Sequence, residues 1–424
     1  MGPAVARLVP TPRQLAWQQL HVGVFVHFGI NTFFGAEWSD GSLPAGAFNP
    51  TELDADQWVA AAKLAGAKYL VLTAKHHDGF CLWPTATTDY SVAASPWRAG
   101  QGDVVAEVSQ ACARAGMRFG VYLSPWDRNA ACYADNPAYD RFYIEQLTEL
   151  CTRYGPLVEV WFDGAGSVGR TYDWNAIVAV IREHQPDAVI FNMGSPDIRW
   201  VGNEDGLAAD PVEYVTEVTE VSNYGAEVTY LGEPVYLPPE CDVSIRRGWF
   251  WAEDDQPKSL EHLLGIYYRS VGLGAGLLLN LPPDNRGLIP DEDVARLEEF
   301  RDELEHRFGN PVRADIEQSG PQSWTVTLPE STRFDHLILR EDYSDGQRVT
   351  AHEVLVNGSR LTSGLTIAEA RIHAFDSIVA TELTVLVAGV GARLRSVEVY
   401  DTGGRSAPEV GYRAPTVQPD VVSG

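Results

Sequence analysis

The chain has 424 residues and a formal net charge of −26 at pH 7, which disfavours nucleic acid and anionic membrane surfaces as partners. A hydrophobic content of 45% and a charged content of 21% are typical of a globular protein with room for one large domain and a smaller one. The five cysteines are dispersed without any C-x-x-C spacing, which argues against a disulfide framework and against a zinc site.

Strands and helices alternate through roughly the first three quarters of the chain. A first strand is predicted at Val22–Phe28, and a first helix at Asp54–Ala65 begins with a capping box of Asp54 and Gln57. The strands predicted after it are Tyr69–Thr73, Arg118–Leu123, Leu157–Phe162, Ala188–Asn192, Arg199–Gly202, Pro234–Leu237 and Gly276–Leu281. The further predicted helices are Asp103–Ala115, Pro137–Tyr154, Tyr172–His184, Leu260–Leu273 and Asp291–His306. This alternation predicts an α/β fold, a (β/α)₈ TIM-like barrel, over residues 1–309.

After Gly309-Asn310-Pro311 the pattern changes to short alternating runs separated by Gly, Asp and Ser turns. These runs are Trp324–Leu328, His336–Leu339, Glu353–Val356, Leu383–Val387 and Arg393–Tyr400. They predict a C-terminal antiparallel β-sandwich over residues 310–402. Residues 403–424 are rich in Gly, Pro and Ser and are predicted to form a flexible tail.

Asp163 stands at the end of the predicted fourth strand, in the segment LVEVWFDGAG. In an α/β barrel the chemistry lies at the carboxyl ends of the strands, where the loops converge. A carboxylate there, beside Trp161 and Phe162, can act as a nucleophile or as an acid/base group. A structural role is equally compatible with this segment, because Asp-Gly is a common turn pair.

Polar and aromatic side chains follow most of the other predicted strands. They are His27, Glu37 and Trp38, then His76 and His77, Tyr122, Arg199 and Glu204, and finally Glu240, Trp249 and Trp251. Each has a structural explanation of its own, since a single histidine at a strand end is most often structural and tryptophans often pack in cores. Their convergence, with few basic groups, indicates an uncharged polyhydroxylated ligand, whereas a phosphate ester would need a basic or glycine-rich cradle.

The adjacent His76 and His77 could in principle bind a metal ion. Neighbours on a strand point to opposite faces, and no third ligand is suitably spaced, so no metal is predicted. Two carboxylates in such a site instead favour glycoside hydrolysis, in which one attacks the anomeric carbon and the other protonates the leaving oxygen. Asp163 fits the nucleophile, and Glu204 and Glu240 are the two candidates for the acid/base, which needs a raised pKa.

Six segments together carry a resemblance to a known family and cover essentially the whole predicted barrel. They are FVHFGINTF with EWSDG, KYLVLTAKHHDGFCLWPTATTDYSV with SPW, GMRFGVYLSPWD, VEVWFDGA, RWVGNEDG and LLLNLPPDNRG. In these segments the chain resembles the family 29 glycoside hydrolases, the α-L-fucosidases. The resemblance implies a retaining exo-hydrolase that removes terminal α-L-fucose without a metal or an organic cofactor.

The resemblance also implies roles for individual residues. Asp163, in the W-F-D-G segment, would be the nucleophile. The residues that it places around fucose are His27, His76, His77, Glu37, Trp38, Tyr122 and Arg199. The branch that the chain resembles most cleaves α-1,3/4-linked fucose from branched, Lewis-type glycans with a glutamate as acid/base, which points to Glu204.

Glu240, in LPPECDVSIRRGWFW, is the alternative acid/base and is otherwise expected to bind the neighbouring sugar with Trp249 and Trp251. This segment reads RRGW where the family resemblance leads us to expect a proline before the glycine.

Two other functions are compatible with the sequence: a non-catalytic sugar-binding barrel, and a hydrolase for another α-linked deoxy sugar. The presence of both carboxylates favours an enzyme. The expected partner is a fucosylated oligosaccharide or glycoconjugate, and the oligomeric state stays open. Because the sequence shows no N-terminal apolar signal segment and no stretch of about twenty apolar residues, we expect a cytoplasmic location without membrane contact.

Overall fold

Eight parallel strands form a nearly closed barrel in the first part of the computed structural model, which describes residues 8–166, 169–220 and 228–411. The strands of this part are β1 Val22–Val26, β2 Tyr69–Lys75, β3 Arg118–Leu123, β4 Leu157–Trp161, β5 Val189–Phe191, β6 Arg199–Trp200, β7 Val215–Glu220, β8 Val228–Tyr236, β9 Pro239–Ser244 and β10 Gly276–Asn280. The barrel order is β5-β4-β3-β2-β1-β10-β9-β6, while β7 and β8 form a separate antiparallel pair. A parallel bridge between Phe191 and Ile198 adjoins the gap between the two end strands.

Helices connect the strands. They are α1 Pro12–Gln18, α2 Ala55–Leu64, α3 Val104–Ala115, α4 Asn136–Arg153, α5 Trp174–His184, α6 Leu260–Arg269 and α7 Asp291–Phe308. Most begin at an Asp, Thr or Ser whose side chain accepts a backbone N–H of the first turn. Within the described ranges, none of the helices is long and apolar enough to cross a membrane.

The predicted capping box of the helix α2 is only half present. Asp54 caps the helix by accepting from the backbone N–H groups of Asp56 and Gln57. The Gln57 amide turns away and makes two hydrogen bonds with the backbone of Ile289, at 2.9 and 3.0 Å. A tertiary contact to the segment after the last barrel strand therefore takes the place of the local one.

The seventh barrel strand was predicted at the wrong place. Residues 234–236 belong to β8 of the antiparallel pair, and the barrel strand is β9, with the sequence PECDVS. All six residues of β9 are buried, although two of them are acids. Buried parallel strands are normally apolar. The two acids interrupt the apolar run, so the hydrophobic pattern did not predict this strand.

Two cores flank the barrel wall. The larger lies between the sheet and the surrounding helices, where alternate strand residues pack against helix faces. The second fills the barrel interior with large rings, namely Trp17, Phe25, Tyr69, Tyr122, Trp161, Phe191 and Trp200. Gly23 makes room for one of them, since a Cβ at that position would lie 2.2 Å from the Tyr69 ring. The interior is therefore a packed floor beneath the strand ends.

The second part is a six-stranded antiparallel sheet. Its strands are β11 Asp315–Gly320, β12 Ser323–Glu341, β13 Ala351–Val356, β14 Ser359–Gly364, β15 Arg371–Ala388 and β16 Leu394–Tyr400. The long strands β12 and β15 pair with each other along most of their length, with register shifts in the middle. In one half of the sheet β12 also pairs with β16, and in the other half β15 also pairs with β13. Residues from both halves share one core. The predicted fold class, a barrel followed by an antiparallel β-domain, is confirmed.

The connection between the two parts is short, since α7 ends at Phe308 and β11 begins at Asp315. The predicted domain limits stay a prediction. Of the predicted flexible tail, residues 412–424 lie outside the described residues. The earlier part lies against the barrel: Arg405 forms a 3.1 Å ion pair with Glu303, and the Ser406 carbonyl accepts from Arg307.

Candidate active site

Asp163 lies two residues beyond the last residue of β4, Trp161, at the carboxyl end of the barrel. Its Oδ1 accepts the backbone N–H of Ala165 at 2.8 Å, as a turn-forming aspartate would. Its Oδ2 accepts the hydroxyl of Tyr122 at 3.0 Å and lies 3.5 Å from His77 Nε2. The side chain is 26% exposed. The Asp163 carboxylate is thus compatible with both predicted roles: one oxygen stabilises the turn, and the other faces the candidate site.

His77 is oriented by the strand next to its own. Its Nδ1 lies 2.7 Å from the Ser124 hydroxyl, and that hydroxyl donates its proton to the Trp126 carbonyl at 2.7 Å. Because the hydroxyl has only one proton, Nδ1 of His77 must be the donor of their shared hydrogen bond. Nε2 is therefore the nitrogen that faces Asp163.

His27 is oriented in the same way by Asn280, the last residue of β10. The Asn280 amide nitrogen donates to the Trp249 carbonyl at 2.8 Å, which fixes its oxygen toward His27. That oxygen accepts Nδ1–H of His27 at 2.8 Å, so Nε2 remains as a hydrogen-bond acceptor. Burial, with a smaller contribution from His77, lowers the pKa of His27 to about 3, and the ring is neutral at ordinary pH.

His76 lies between these two rings. Its centroid is 4.1 Å from that of His77 and 5.7 Å from that of His27, and it stacks on Tyr122 at 5.7 Å. Burial lowers its pKa well below the ordinary value, and its buried Nδ1 has no hydrogen-bond partner within the described ranges. An uncharged imidazole in this cluster is suited to a neutral polar ligand.

The argument that His76 and His77 point to opposite faces is wrong, because both residues lie beyond the end of β2. In the part of the chain that the structure describes, no three His, Cys, Asp or Glu side chains are arranged to hold a metal ion.

Glu204 lies on the loop between β6 and β7 and is half-buried. Burial, followed by the negative charge of Asp163, raises the pKa of its carboxyl to about 7. An interaction with the Trp249 side chain opposes this rise. A protonated carboxyl that senses the Asp163 charge has the properties expected of an acid/base group.

Glu37 and Trp38 line the mouth from the loop after β1. The Glu37 carboxylate accepts the backbone N–H groups of Trp249 and Phe250, at 2.8 and 3.2 Å. Burial raises its pKa to about 7, which these two hydrogen bonds oppose. The Trp38 ring stands edge-on to His77 at 5.4 Å.

The loop after β9 supplies three consecutive aromatic residues. The Trp249 ring lies 5.0 Å from His27, and the buried Phe250 ring lies 5.5 Å from His27 and 5.0 Å from His76. Trp251 follows on the same loop and is half-buried. Two of these rings thus cover the histidine cluster.

Glu240 lies at the opposite end of the barrel from Asp163. It pairs in register with the first residue of β10, four residues before Ser244, and its side chain is fully buried. It accepts the Tyr69 hydroxyl at 2.5 Å and the Trp161 indole N–H at 3.1 Å, and it hydrogen-bonds to the Glu159 carboxyl. Both predicted roles of Glu240, as alternative acid/base and as a sugar ligand, are therefore wrong.

Arg199 also lies apart from the histidine cluster. Its guanidinium donates to the carbonyls of Trp200 and Glu213, at 3.4 and 3.1 Å. The next residue, Trp200, packs in the barrel interior, and successive strand residues alternate between faces. The Arg199 side chain consequently lies on the outer face of the wall, which contradicts its predicted contact with the sugar.

Comparison with known proteins decides the family. The family model described as Alpha-L-fucosidase matches residues 44–306. The chain belongs to the α-L-fucosidase family. Alpha-L-fucosidase 1 of Arabidopsis thaliana is 40% identical, over 89% of this chain and 84% of that protein. A fucosidase of this family is a glycoside hydrolase, and fucosylated glycans are its substrates.

Solved structures agree with this assignment. A putative α-L-fucosidase from Bacteroides ovatus has a TM-score of 0.86 and 42% identity, over 98% of this chain and 77% of that one. A family 29 fucosidase from Ruminococcus gnavus, solved in complex with fucose, has a TM-score of 0.84 and 28% identity, over 97% and 98% of the two chains.

Three contacts of this fucosidase site lie outside the predicted residue set. Asn280 and Ser124 orient the histidines, and Phe250 covers two of them. Asn280 ends β10 and Ser124 follows β3 directly, so their position at strand ends was a usable signal. Phe250 has no local feature that distinguishes it from a core phenylalanine.

Proposed function

We propose that this chain is a retaining exo-α-L-fucosidase in which Asp163 is the nucleophile and Glu204 is the acid/base. One observation carries the proposal: the carboxyl of Glu204 has a pKa of about 7, raised by burial and by the charge of Asp163 in the same mouth. A nucleophilic carboxylate and a protonated carboxyl acting on one sugar are what double displacement requires.

In the first step, an Asp163 oxygen attacks the anomeric carbon as the bond to the leaving oxygen breaks. Glu204 transfers its proton to that oxygen, and the sugar becomes esterified to Asp163. Esterification removes the Asp163 charge, which had been raising the pKa of Glu204. The pKa of Glu204 therefore falls in the intermediate, where it must take a proton from water. Water then attacks the same carbon and releases Asp163.

Recognition of fucose uses neutral groups. His27 Nε2 is an acceptor, and the neutral His76 ring lies 5.7 Å from the His27 ring, so both imidazoles can contribute to binding sugar hydroxyls. The Trp249 and Phe250 rings beside them offer apolar surface to the C–H faces and the methyl group of a deoxy sugar. Asp163 itself accepts the Tyr122 hydroxyl, which helps to hold the carboxylate in place.

The nucleophile is tested with Asp163→Gly and sodium azide. This variant should lose at least about a thousandfold in kcat on 4-nitrophenyl α-L-fucoside. Azide should restore turnover and yield the β-fucosyl azide, because it attacks from the face that the carboxylate leaves open. The matched control is Asp205→Asn, a carboxylate next to Glu204, which should keep most of its activity. An α-configured azide, or no rescue with the variant folded, would remove Asp163 from this role.

Linkage is the finer part of the proposal. The glutamate in the G-N-E segment is the feature that favours branched α-1,3/4-linked glycans, through the resemblance that it carries. We expect kcat/KM to be at least about tenfold higher for a Lewis-type α-1,3/4-fucoside than for an α-1,2-linked one. A preference for the α-1,2 linkage would contradict this part alone. Release of 4-nitrophenol from the α-L-rhamnoside at a similar rate would favour the other deoxy-sugar hydrolase.

A further inference from the structure

Asn203 closes the turn that carries Glu204. Its side-chain oxygen accepts the backbone N–H groups of Asp205 and Leu207, at 3.1 and 3.3 Å, and its amide nitrogen donates to the Leu207 carbonyl at 2.8 Å. When an asparagine oxygen accepts the N–H of the second residue after it, the chain forms an Asx turn with the intervening residue at the corner. Glu204 is that intervening residue.

This turn is attached to the carboxyl end of β9. Asp205 forms an antiparallel bridge with Val243, and a Cβ added to Gly206 would lie 2.7 Å from Val243 Cγ1. The next residue of β9, Ser244, pairs in register with Asn280, which orients one histidine of the site. Strand pairing and packing therefore place the turn at the same end of the barrel as the histidine cluster.

The Asn203 side chain is buried, with 9% of its surface exposed, and a smaller residue there would leave its backbone partners unpaired. The chain beyond the turn has attachments of its own, since the Ala208 N–H donates to the Arg269 carbonyl at 2.8 Å and Gly206 packs on β9. Loss of the Asn203 amide should therefore loosen the corner of the turn while the rest of the loop stays in place.

We propose that Asn203 is a positioning residue for the acid/base: its side chain fixes the backbone of Glu204 so that the carboxyl reaches the leaving oxygen. This inference rests on the proposed role of Glu204. A residue that acts through Glu204 affects substrates whose leaving group needs a proton and spares those whose leaving group does not. A residue that only supports the fold would affect both kinds of substrate alike.

The test compares kcat/KM on a Lewis-type α-1,3-fucosylated trisaccharide and on α-L-fucosyl fluoride, whose leaving group needs no proton. The variants are Asn203→Ala, Asn203→Ser, whose hydroxyl can still accept one N–H of the turn, and Gly206→Ala, which displaces the turn without changing Asn203. Asn129→Ala is the matched control, because Asn129 is a loop asparagine that likewise donates to a backbone carbonyl, that of Gly41 at 2.9 Å. Assays at about pH 5.5 keep Glu204 protonated.

We expect Asn203→Ala to lose about 30-fold on the trisaccharide and less than about threefold on the fluoride, with an unchanged inhibition constant for fucose. Gly206→Ala should show the same imbalance, and Asn203→Ser a smaller one. In a Glu204→Ala background, Asn203→Ala should cost less than about twofold more on the trisaccharide, because no acid is left to position. Asn129→Ala should stay within about twofold of the wild type on both substrates.

Equal losses on the two substrates in Asn203→Ala and Gly206→Ala would overturn the inference and leave Asn203 a structural residue of the loop. A full further loss in the Glu204→Ala background would also overturn it. If Asn203→Ala does not fold, Asn203→Ser and Gly206→Ala decide between the same two outcomes. If Glu204→Ala alone shows no dependence on the leaving group, the proposed function fails instead.

Discussion

His27 and His77 each donate their Nδ1 proton to a neighbour, Asn280 and Ser124 respectively. These partners lie on β10 and directly after β3, the strands adjacent to the histidines' own. Ring orientation at the residue scale therefore depends on strand neighbours that are distant in the sequence. The His27 ring, which burial keeps neutral, can accept a hydroxyl proton through its free nitrogen.

The first prediction concerns the ionisation of Glu204. Its pKa is raised to about 7, so the proton-donating form is present below pH 7 and is lost above it. We expect kcat/KM on a Lewis-type α-1,3-fucosylated trisaccharide to fall as pH rises through about 7. On α-L-fucosyl fluoride, whose leaving group needs no proton, kcat/KM should show no such fall. Glu204→Gln should lose at least about a hundredfold on the trisaccharide. A fall near pH 7 with the fluoride as well would assign that ionisation to another group, such as Glu37.

At the scale of one element, β9 shows how a structural acid can be mistaken for a catalytic one. Glu240 and Asp242 alternate with Cys241 and Val243 along this strand, and their side chains point into the barrel. Asp242 accepts the Trp200 indole N–H at 2.7 Å, and Glu240 accepts that of Trp161 at 3.1 Å. Both acids serve interior tryptophans, which is a structural role.

The second prediction follows from the Glu240–Glu159 pair. Two buried carboxyls in hydrogen-bond contact must share a proton, and burial raises the pKa of both. Glu240→Gln can replace this contact with an amide and should change stability by less than about 1 kcal/mol at pH 7. Glu240→Ala should lose about 2–5 kcal/mol, since it leaves the two buried donors of Tyr69 and Trp161 unpaired.

Denaturant unfolding measures these differences. The activity ratio of the trisaccharide to the fluoride provides the control, because Glu240→Gln should leave this ratio at the wild-type value while Glu204→Gln lowers it. A lowered ratio in Glu240→Gln would return Glu240 to the list of acid/base candidates.

At the scale of the whole molecule, the barrel and the antiparallel sheet meet around Glu369. This buried carboxylate accepts from His21 of the barrel at 2.7 Å and from Arg395 of the sheet at 2.6 Å, and Tyr343 also donates to it. The backbone N–H of Glu369 donates to the Tyr214 hydroxyl of the barrel part. The two domains are therefore joined by a buried, charge-assisted network as well as by apolar contacts.

The third prediction tests this junction. Burial opposes the ionisation of Glu369, but hydrogen bonds from His21 and Arg395 prevail and lower its pKa to about 2. A lowered carboxyl pKa stabilises the folded state above the unfolded pKa of about 4.5, and this stability is lost as pH falls toward 2. Glu369→Gln should therefore be less stable by about 2–3 kcal/mol at pH 7.

Urea unfolding at several pH values checks this prediction. The difference between Glu369→Gln and the wild type should shrink steadily between about pH 4.5 and 2. The matched control is Glu353→Gln, a partly exposed carboxylate of the same sheet that pairs with Arg360 of that sheet, and it should cost less at pH 7. A difference that stays constant with pH would show that Glu369 contributes through packing alone.

By itself, the sequence determined the alternation of strands and helices, the antiparallel C-terminal domain and the segments that revealed the family. It also singled out Asp163 and the histidines, because hydrophobic periodicity and strand ends are local features of the chain. Only the tertiary structure decided which second acid faces Asp163. Glu204 and Glu240 looked alike in the sequence, but depth along a strand depends on register. Sheet pairing places Glu240 on the floor, whereas Glu204 lies in the mouth on the loop after β6.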